Sequence, residues 1–293
     1  MSRSGIVALA GRPNVGKSTL LNSLVGEKLS IVSDRPQTTR RVIRGVVTRG
    51  DSQVVLVDLP GTQRPRDPLT ARLAKRVQQE LEGADGALLM LNGLQGVGPG
   101  DRYLAGALAG SGTPVTVAVN KTDKLSRTRL VQVLAAASEL VPDADIFPIS
   151  ALRGTGVEEL VRHLAAGMPE GPFLFEPGVS SDQPLEQLLA ELIREAVIRR
   201  TFEEVPHAVE VAVEELDRPR AGLTRVRALI WVESDSQKAI LIGARGSMIR
   251  AIGTAARAEL ERELGTHVHL DLSVRVRRRW RNDEALLDRL GMS

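Results

Sequence analysis

Apolar residues fall in two rhythms along the chain. Ile6-Val7-Ala8-Leu9-Ala10 is a short unbroken run, the mark of a strand buried on both faces. Residues 18–25 carry Leu20, Leu21 and Leu24 at helical spacing, and Gly26 stands where such a helix ends. Residues 42–48 and 53–59 predict a hairpin turning at Gly50-Asp51. Its second strand, apolar at Val54-Val55-Leu56-Val57, is expected to be buried. Asp67-Pro68 supplies the cap and first turn of a helix whose one apolar face is Leu69, Leu73, Val77 and Leu81. Residues 86–91 and 114–119 are two further buried strands. A helix through Leu130, Val133, Leu134, Ala137 and Leu140 follows, then a strand at Ile146-Phe147-Pro148-Ile149. Thr155-Gly156-Val157-Glu158 has the spacing of a capping box and predicts a last helix bearing Leu160, Val161 and Leu164.

Residues 168–184 interrupt both rhythms with four prolines and no period, which predicts an interdomain linker. The expected division is a first domain at 1–168, a linker at 169–183 and a second domain at 184–293. The second domain opens on a helical stripe at 185, 188, 189, 192, 193, 196 and 197. Residues 208–214 alternate as a half-buried strand, and 225–232 form a second. Residues 239–247 are a short apolar segment broken by Gly243-Ala244-Arg245-Gly246, followed by a helix through Met248, Ile249, Ile252, Ala256, Leu260 and Leu264. Residues 268–274 close as a strand. The fold class expected is α/β, a mostly parallel sheet with helices on both faces, followed by a small α+β domain.

Composition narrows the function classes. A hydrophobic content of 42% supports a real core. Zero cysteine excludes disulfides and thiolate metal sites, and His163, His207, His267 and His269 are too scattered for zinc. No apolar run approaches the roughly 18 residues of a membrane span, and the N-terminus does not read as a signal peptide. The expectation is a soluble cytoplasmic protein. The net charge of +3 hides a polarised second half. Residues 176–217 hold 3 basic and 11 acidic residues, net −8, whereas 218–281 hold 14 basic and 6 acidic, net +8. A basic segment of this kind suits a polyanion partner, although two faces that neutralise each other would give the same count.

The chemistry begins between the first strand and the first helix. Gly11-Arg12-Pro13-Asn14-Val15-Gly16-Lys17-Ser18-Thr19 has the spacing G-x-x-x-x-G-K-[ST]. A strand, a Gly-rich turn and a helix N-terminus make a cradle of inward N–H groups that favours phosphate. Lys17 is expected to reach the β and γ phosphates and Ser18 to hold Mg²⁺. The polar residues 30–41 read as a mobile loop. The buried strand that follows delivers Asp58-Leu59-Pro60-Gly61 at its C-terminal end, where open α/β sheets bind ligands. Asp58 would join the Mg²⁺ shell and the Gly61 N–H would meet the γ-phosphate. Asn120-Lys121-Thr122-Asp123 ends the strand at 114–119. A carboxylate accepts two N–H bonds only from a base edge with two donors. Guanine offers N1–H and its 2-amino group and adenine does not, so Asp123 selects guanine. Lys121 would lie along the base, Asn120 would tie this loop to the phosphate loop, and the backbone of Ser150-Ala151-Leu152 would donate to guanine O6.

The ordered segments GRPNVGKS, QTTRR, DLPG, NKTD and ISA resemble the five motifs of translation-factor-type GTPases, and the first domain resembles a Ras-like P-loop G domain. The second domain, in the order α-β-β-α-GxxG-α-β, resembles a type II KH domain, whose GxxG loop clamps a single-stranded nucleic-acid backbone. GxxG by itself is usually a tight turn. Here Gly243, Ala244, Arg245, Gly246 and Ser247, with Arg250 on the next helix, lie inside the +8 segment. Arg277, Arg278 and Arg279 add charge, and Trp280 is expected to offer a stacking ring, though a solvated strand end fits those arginines equally well. A G domain joined to a type II KH domain resembles the bacterial Era GTPases over nearly the whole chain. The resemblance implies GTP/GDP and Mg²⁺ as ligands, slow GTP hydrolysis, the 3′ end of small-subunit ribosomal RNA and the small ribosomal subunit as partners, a monomer, and peripheral contact with the inner face of the cell membrane. It also implies that Thr38 or Thr39, of which we take Thr39, completes the metal shell with Ser18 and Asp58. Two departures stand out: Leu59 replaces a Thr, and Thr62 occupies the position of the water-orienting Gln of Ras-like proteins. Asn14 resembles the phosphate-loop Asn of potassium-stimulated GTPases, where K⁺ takes the place of an arginine finger. Two alternatives remain open at this point, a nucleotide-gated RNA chaperone with incidental hydrolysis and a GTPase whose second domain docks protein or membrane.

Overall fold

In the computed structural model of the chain, the described residues are 2–32, 40–60 and 67–290. They fall into two compact units. The first gathers the described residues of Met1–Ser30, Pro36–Arg64 and Ala71–Asp182, the second those of Ile31–Arg35, Pro65–Thr70 and Gln183–Ser293.

The first unit begins with β1 (Arg3–Gly11) and α1 (Lys17–Val25), which Gly26 ends in the left-handed region at φ 82°. The hairpin follows as β2 (Ile43–Arg49) and β3 (Ser52–Asp58). Then come α2 (Pro68–Glu82), β4 (Gly86–Asn92), α3 (Pro99–Ser111), β5 (Val115–Asn120), α4 (Arg127–Leu140), β6 (Ile146–Pro148) and α5 (Val157–Ala166). The sheet order is β2-β3-β1-β4-β5-β6, with β2 antiparallel to β3 and the other neighbours parallel. Leu9, Leu20, Leu21, Leu56, Leu88, Met90 and Leu160 pack the core on one face, and Leu89, Leu91, Leu104, Leu108, Val117 and Val133 pack it on the other. Every strand C-terminus that carries a motif therefore opens on the same edge.

Two expectations for this unit are corrected, and one helix is added to them. Thr155 does not cap α5: its carbonyl accepts the Ser150 N–H at 2.9 Å in a short bridge. The helix starts after Gly156 at φ 71°, where a Cβ would lie 2.4 Å from the Pro148 carbonyl. The helix α3 has no counterpart in the hydrophobic pattern, because Gly100, Gly106 and Gly110 dilute it. Its only sequence signals are Pro99 in the first turn and Asp101 at the third position. Residues 169–182 belong to the first unit. The Ser180 carbonyl accepts from Val46 N on the edge strand at 2.8 Å, Gln53 exchanges two 2.9 Å bonds with Phe175, and Asp182 pairs with Arg44 at 3.1 Å.

The second unit contains α6 (Leu185–Ile198), α7 (Val205–Ala208), β7 (Glu210–Arg220), β8 (Leu223–Val232), α8 (Asp235–Ile242), α9 (Ser247–Leu264), β9 (His267–Val276) and α10 (Glu284–Arg289). Ala208, expected to start a strand, ends the short helix α7 instead. The sheet is β7-β8-β9, antiparallel then parallel. Leu189, Ile193 and Val197 of α6 and Ile252, Ala256 and Leu260 of α9 pack on its inner face with Val226, Ala228 and Ile230. Trp280 is fully buried and donates its indole N–H to the Ala208 carbonyl at 2.8 Å. It is a core anchor and offers no ring for stacking. Among the described residues no helix is long and apolar enough to cross a membrane.

Candidate nucleotide site and nucleic-acid interface

The phosphate loop is built as its sequence requires. Gly16 stands at φ 107°, and a Cβ there would lie 2.2 Å from Asn120 Nδ2, so only glycine fits. Val15 anchors the loop in the core, and its carbonyl accepts from Asn120 Nδ2 at 2.7 Å, the tie expected between the two loops. Asn14 takes φ 62° and its carbonyl accepts from Lys121 Nζ at 2.7 Å. Lys17, 8% exposed, donates to the Gly11 carbonyl at 3.1 Å. Burial holds its pKa below the ordinary lysine value, and the Asp58 carboxylate offsets part of that shift. Arg12 is committed elsewhere: its guanidinium meets the fully buried Asp101 of α3 at 2.8–2.9 Å and the Gly96 carbonyl at 3.0 Å. Pro13 and Thr19 complete the loop at half-buried positions.

Asp58, wholly buried at the end of β3, accepts from the Ser18 hydroxyl at 2.7 Å. A carboxylate and a hydroxyl converging beside the phosphate cradle are the oxygen donors that a hard divalent cation takes. The structure adds a third group that the sequence pattern does not announce. Ser30, 1% exposed, donates to the same Asp58 oxygen at 3.0 Å. Leu59, next in the chain, is buried. Pro60 ends the described part of this segment, and Gly61, Thr62, Thr38 and Thr39 lie outside the described residues.

At the base-reading end, Asn120 Oδ1 accepts from Lys121 N at 2.8 Å and Ala151 N at 2.9 Å. The Ala151 N–H is thus engaged by Asn120, and the neighbouring Leu152 is exposed. Asp123 is exposed, and the Ser150 hydroxyl donates to its Oδ1 at 2.7 Å. Ser150 was expected to act through its backbone; its side chain orients the carboxylate.

In the second unit, Gly243 takes φ 69° with ψ 173°, and a Cβ there would lie 2.8 Å from Met248 N. Gly246 takes φ 78°. Between them Ala244 and Arg245 stand exposed, Arg245 at φ 51°. Ser247 opens α9, and Arg250 donates to the Arg245 carbonyl at 2.9 Å, bracing the loop. The three tail arginines part company. Arg277 pairs with Asp283 and lies 5.7 Å over the Trp231 ring, while Arg278 and Arg279 are exposed.

A P-loop, an Asp-ended strand and an N-K-x-D loop on one sheet edge, followed by a GxxG-bearing αββααβ unit, define a P-loop GTPase with a KH domain. The comparisons agree on both parts. Residues 6–121 match the family profile described as 50S ribosome-binding GTPase, and residues 204–281 match the KH domain profile. The chain is 46% identical to GTPase Era of Mycobacterium avium, covering 99% of this chain and 98% of that one. It is likewise 46% identical to GTPase Era of Mycobacterium tuberculosis strain H37Rv, with 98% of each covered. A crystal structure of an Aquifex aeolicus Era variant bound to GDP and aluminium fluoride matches with a TM-score of 0.95 at 35% identity, covering 99% of both chains. Era in complex with MgGDPNP and nucleotides 1506–1542 of 16S ribosomal RNA matches with a TM-score of 0.95 at 35% identity over the full length of both. The chain belongs to the Era GTPases.

Proposed function

We propose that this chain binds GTP with Mg²⁺, hydrolyses it slowly, and binds the single-stranded 3′ end of 16S-type ribosomal RNA through its KH domain in the maturation of the small ribosomal subunit, with the nucleotide state gating RNA binding. The observation that carries this reading is the coexistence of a complete phosphate cradle with a braced, exposed GxxG turn, in a chain matched end to end by a relative that holds both a GTP analogue and 16S RNA. The broad G-domain profile speaks of the 50S subunit, but it covers only residues 6–121. The relative with 16S RNA covers both units and therefore supports the small subunit.

Backbone N–H groups of residues 11–19 wrap the phosphates. Lys17 exchanges its bond to the Gly11 carbonyl for β and γ oxygens. Ser18, Thr39 and Asp58 would hold the metal. When bound, Mg²⁺ neutralises charge on the β and γ phosphates. The N–H of Gly61 would meet the γ-phosphate, the role that the family resemblance implies for the segment Asp58-Leu59-Pro60-Gly61 with Thr62 after it. Asp123 reads N1–H and the 2-amino group of guanine, Lys121 lies along the base, and Leu152 or a reoriented Ala151 donates to O6. Catalysis is positioning and charge stabilisation by Lys17, Thr39, Asp58 and Gly61. On the RNA side, Gly243 and Gly246 let the backbone approach, and Arg245, Ser247 and Arg250 meet phosphates, with Arg278 and Arg279 adding field. Arg277 contributes less, since Asp283 already holds it. A monomeric state, a cytoplasmic location and peripheral contact with the membrane are carried over from the family resemblance.

Thr62 offers no amide of the Gln type to orient water, and in this reading a K⁺ at Asn14 supplies the positive charge that an arginine finger gives elsewhere. Turnover in KCl is then expected to exceed turnover in equal NaCl several-fold, and equal rates would remove K⁺ from the scheme.

The function is tested with a labelled single-stranded 16S 3′-end oligonucleotide, in GDP or a non-hydrolysable GTP analogue, beside the double variant Ala244→Asp with Arg245→Asp. Tighter binding in the analogue, weakened at least tenfold in the variant, is expected. Weak binding that neither nucleotide nor variant changes would move the second domain to a protein or membrane partner.

A further inference from the structure

We propose that Ser30 is a positioning residue for the metal site, fixing the Asp58 carboxylate. The inference rests on the reading of Ser18 and Asp58 as metal-holding residues. The Asp58 Oδ2 atom accepts two hydroxyls, Ser18 at 2.7 Å and Ser30 at 3.0 Å. The two differ in what they are able to do. Ser18 is the hydroxyl that turns its oxygen to the cation. Ser30 is locked on the carboxylate by its own backbone. Asn22 Oδ1 accepts from Ser30 N at 2.9 Å and Leu29 N at 3.0 Å, and Asn22 Nδ2 donates to the Ser30 carbonyl at 2.7 Å. Asn22 stands four residues after Ser18 on α1, so both serines are referenced to one face of one helix.

Ser30 is 1% exposed and Asp58 is wholly buried, so water does not replace the bond when the hydroxyl is removed. A carboxylate that helps to hold a metal keeps its orientation and basicity when an outer partner fixes it, and loss of such a partner weakens metal binding on the order of tenfold or more.

The test measures release of a fluorescent GDP from the full-length protein as a function of free Mg²⁺, for wild type, Ser30→Ala and Ser30→Thr. The Mg²⁺ midpoint of Ser30→Ala is expected to rise about tenfold. Its GDP affinity in EDTA is expected to stay within about twofold of wild type, because a merely structural lesion would weaken binding with and without metal alike. Ser30→Thr keeps the hydroxyl and is expected to hold the wild-type midpoint. An unchanged midpoint in Ser30→Ala, equal losses with and without Mg²⁺, or a Ser30→Thr midpoint displaced as far as that of Ser30→Ala would overturn the proposal. GDP release from wild type that ignores Mg²⁺ altogether would overturn the metal reading of Ser18 and Asp58 along with it.

Discussion

Lys17→Met is expected to lower GTP affinity by about 10²–10⁴-fold while leaving the nucleotide-free protein as stable as wild type or more so. The loss follows from two charge-assisted bonds to phosphate oxygens, each on the order of 1.5–3 kcal/mol. The stability claim follows from burial. Lys17 is almost fully buried, its pKa is depressed by desolvation, and the attraction of Asp58 offsets only part of that. A lysine whose folded pKa lies below its unfolded value costs stability wherever the ammonium persists in both states. That cost is full below the folded pKa and fades as pH rises through it toward the unfolded value. Methionine fills similar space without the charge, so the gain should be largest near neutral pH and shrink at alkaline pH. For a unit of this size each kcal/mol moves Tm by about 2–4 °C. Calorimetry of the nucleotide-free variant beside a GTP titration checks both halves. A variant that loses GTP because it has unfolded, with Tm well below wild type, would defeat the burial argument.

The parts of the site legible in the sequence are those whose chemistry is local. Gly16 and Lys17 follow from one turn of backbone, and Asp58 and Asn120 sit where a buried strand ends, so a linear reading places them. The tie from Asn120 to Val15 is long-range, yet the fixed order of strands in an open sheet implies it. What the sequence withheld depends on side chains meeting across distance without a periodic signal. Ser30 and Asn22 are ordinary polar residues until the fold brings one beside Asp58 and the other beneath the loop. Arg12 looks like a phosphate-loop side chain until Asp101 of the glycine-diluted α3 claims it. Trp280 shows the opposite error. An aromatic among arginines suggests stacking on a base, but a large ring with one N–H donor is also what a small core needs, and the Ala208 carbonyl satisfies it there. Residues 169–182 lack periodicity because single bonds hold them in turn to Ser4 of β1 at Pro169, to Gln53 of β3 at Phe175 and to β2 at Ser180 and Ser181, and they form no element of their own.

Asp123→Asn is expected to exchange base preference, lowering GTP affinity by about 10²–10³-fold and raising XTP affinity by a comparable factor. Guanine presents two donors on the edge that Asp123 reads, N1–H and the 2-amino group, and a carboxylate accepts both. An amide keeps one acceptor and sets its N–H₂ against the 2-amino group, which leaves two donors facing each other. Xanthine keeps N1–H and carries a carbonyl at C2, so it matches an amide donor and acceptor in turn. The structure makes the substitution a clean probe. Asp123 is exposed, so no buried charge is created or lost in the folding equilibrium. The Ser150 hydroxyl, 2.7 Å from Asp123 Oδ1, is able to donate to the amide oxygen or accept from its nitrogen, and so it holds either side chain. Tm should stay within about 2 °C of wild type, as for other exposed substitutions. Competition of GTP, XTP and ATP for a fluorescent GDP reads the result. Loss of GTP without gain of XTP would mean that Asp123 positions the loop rather than reading the base. Unchanged GTP affinity would remove it from the site.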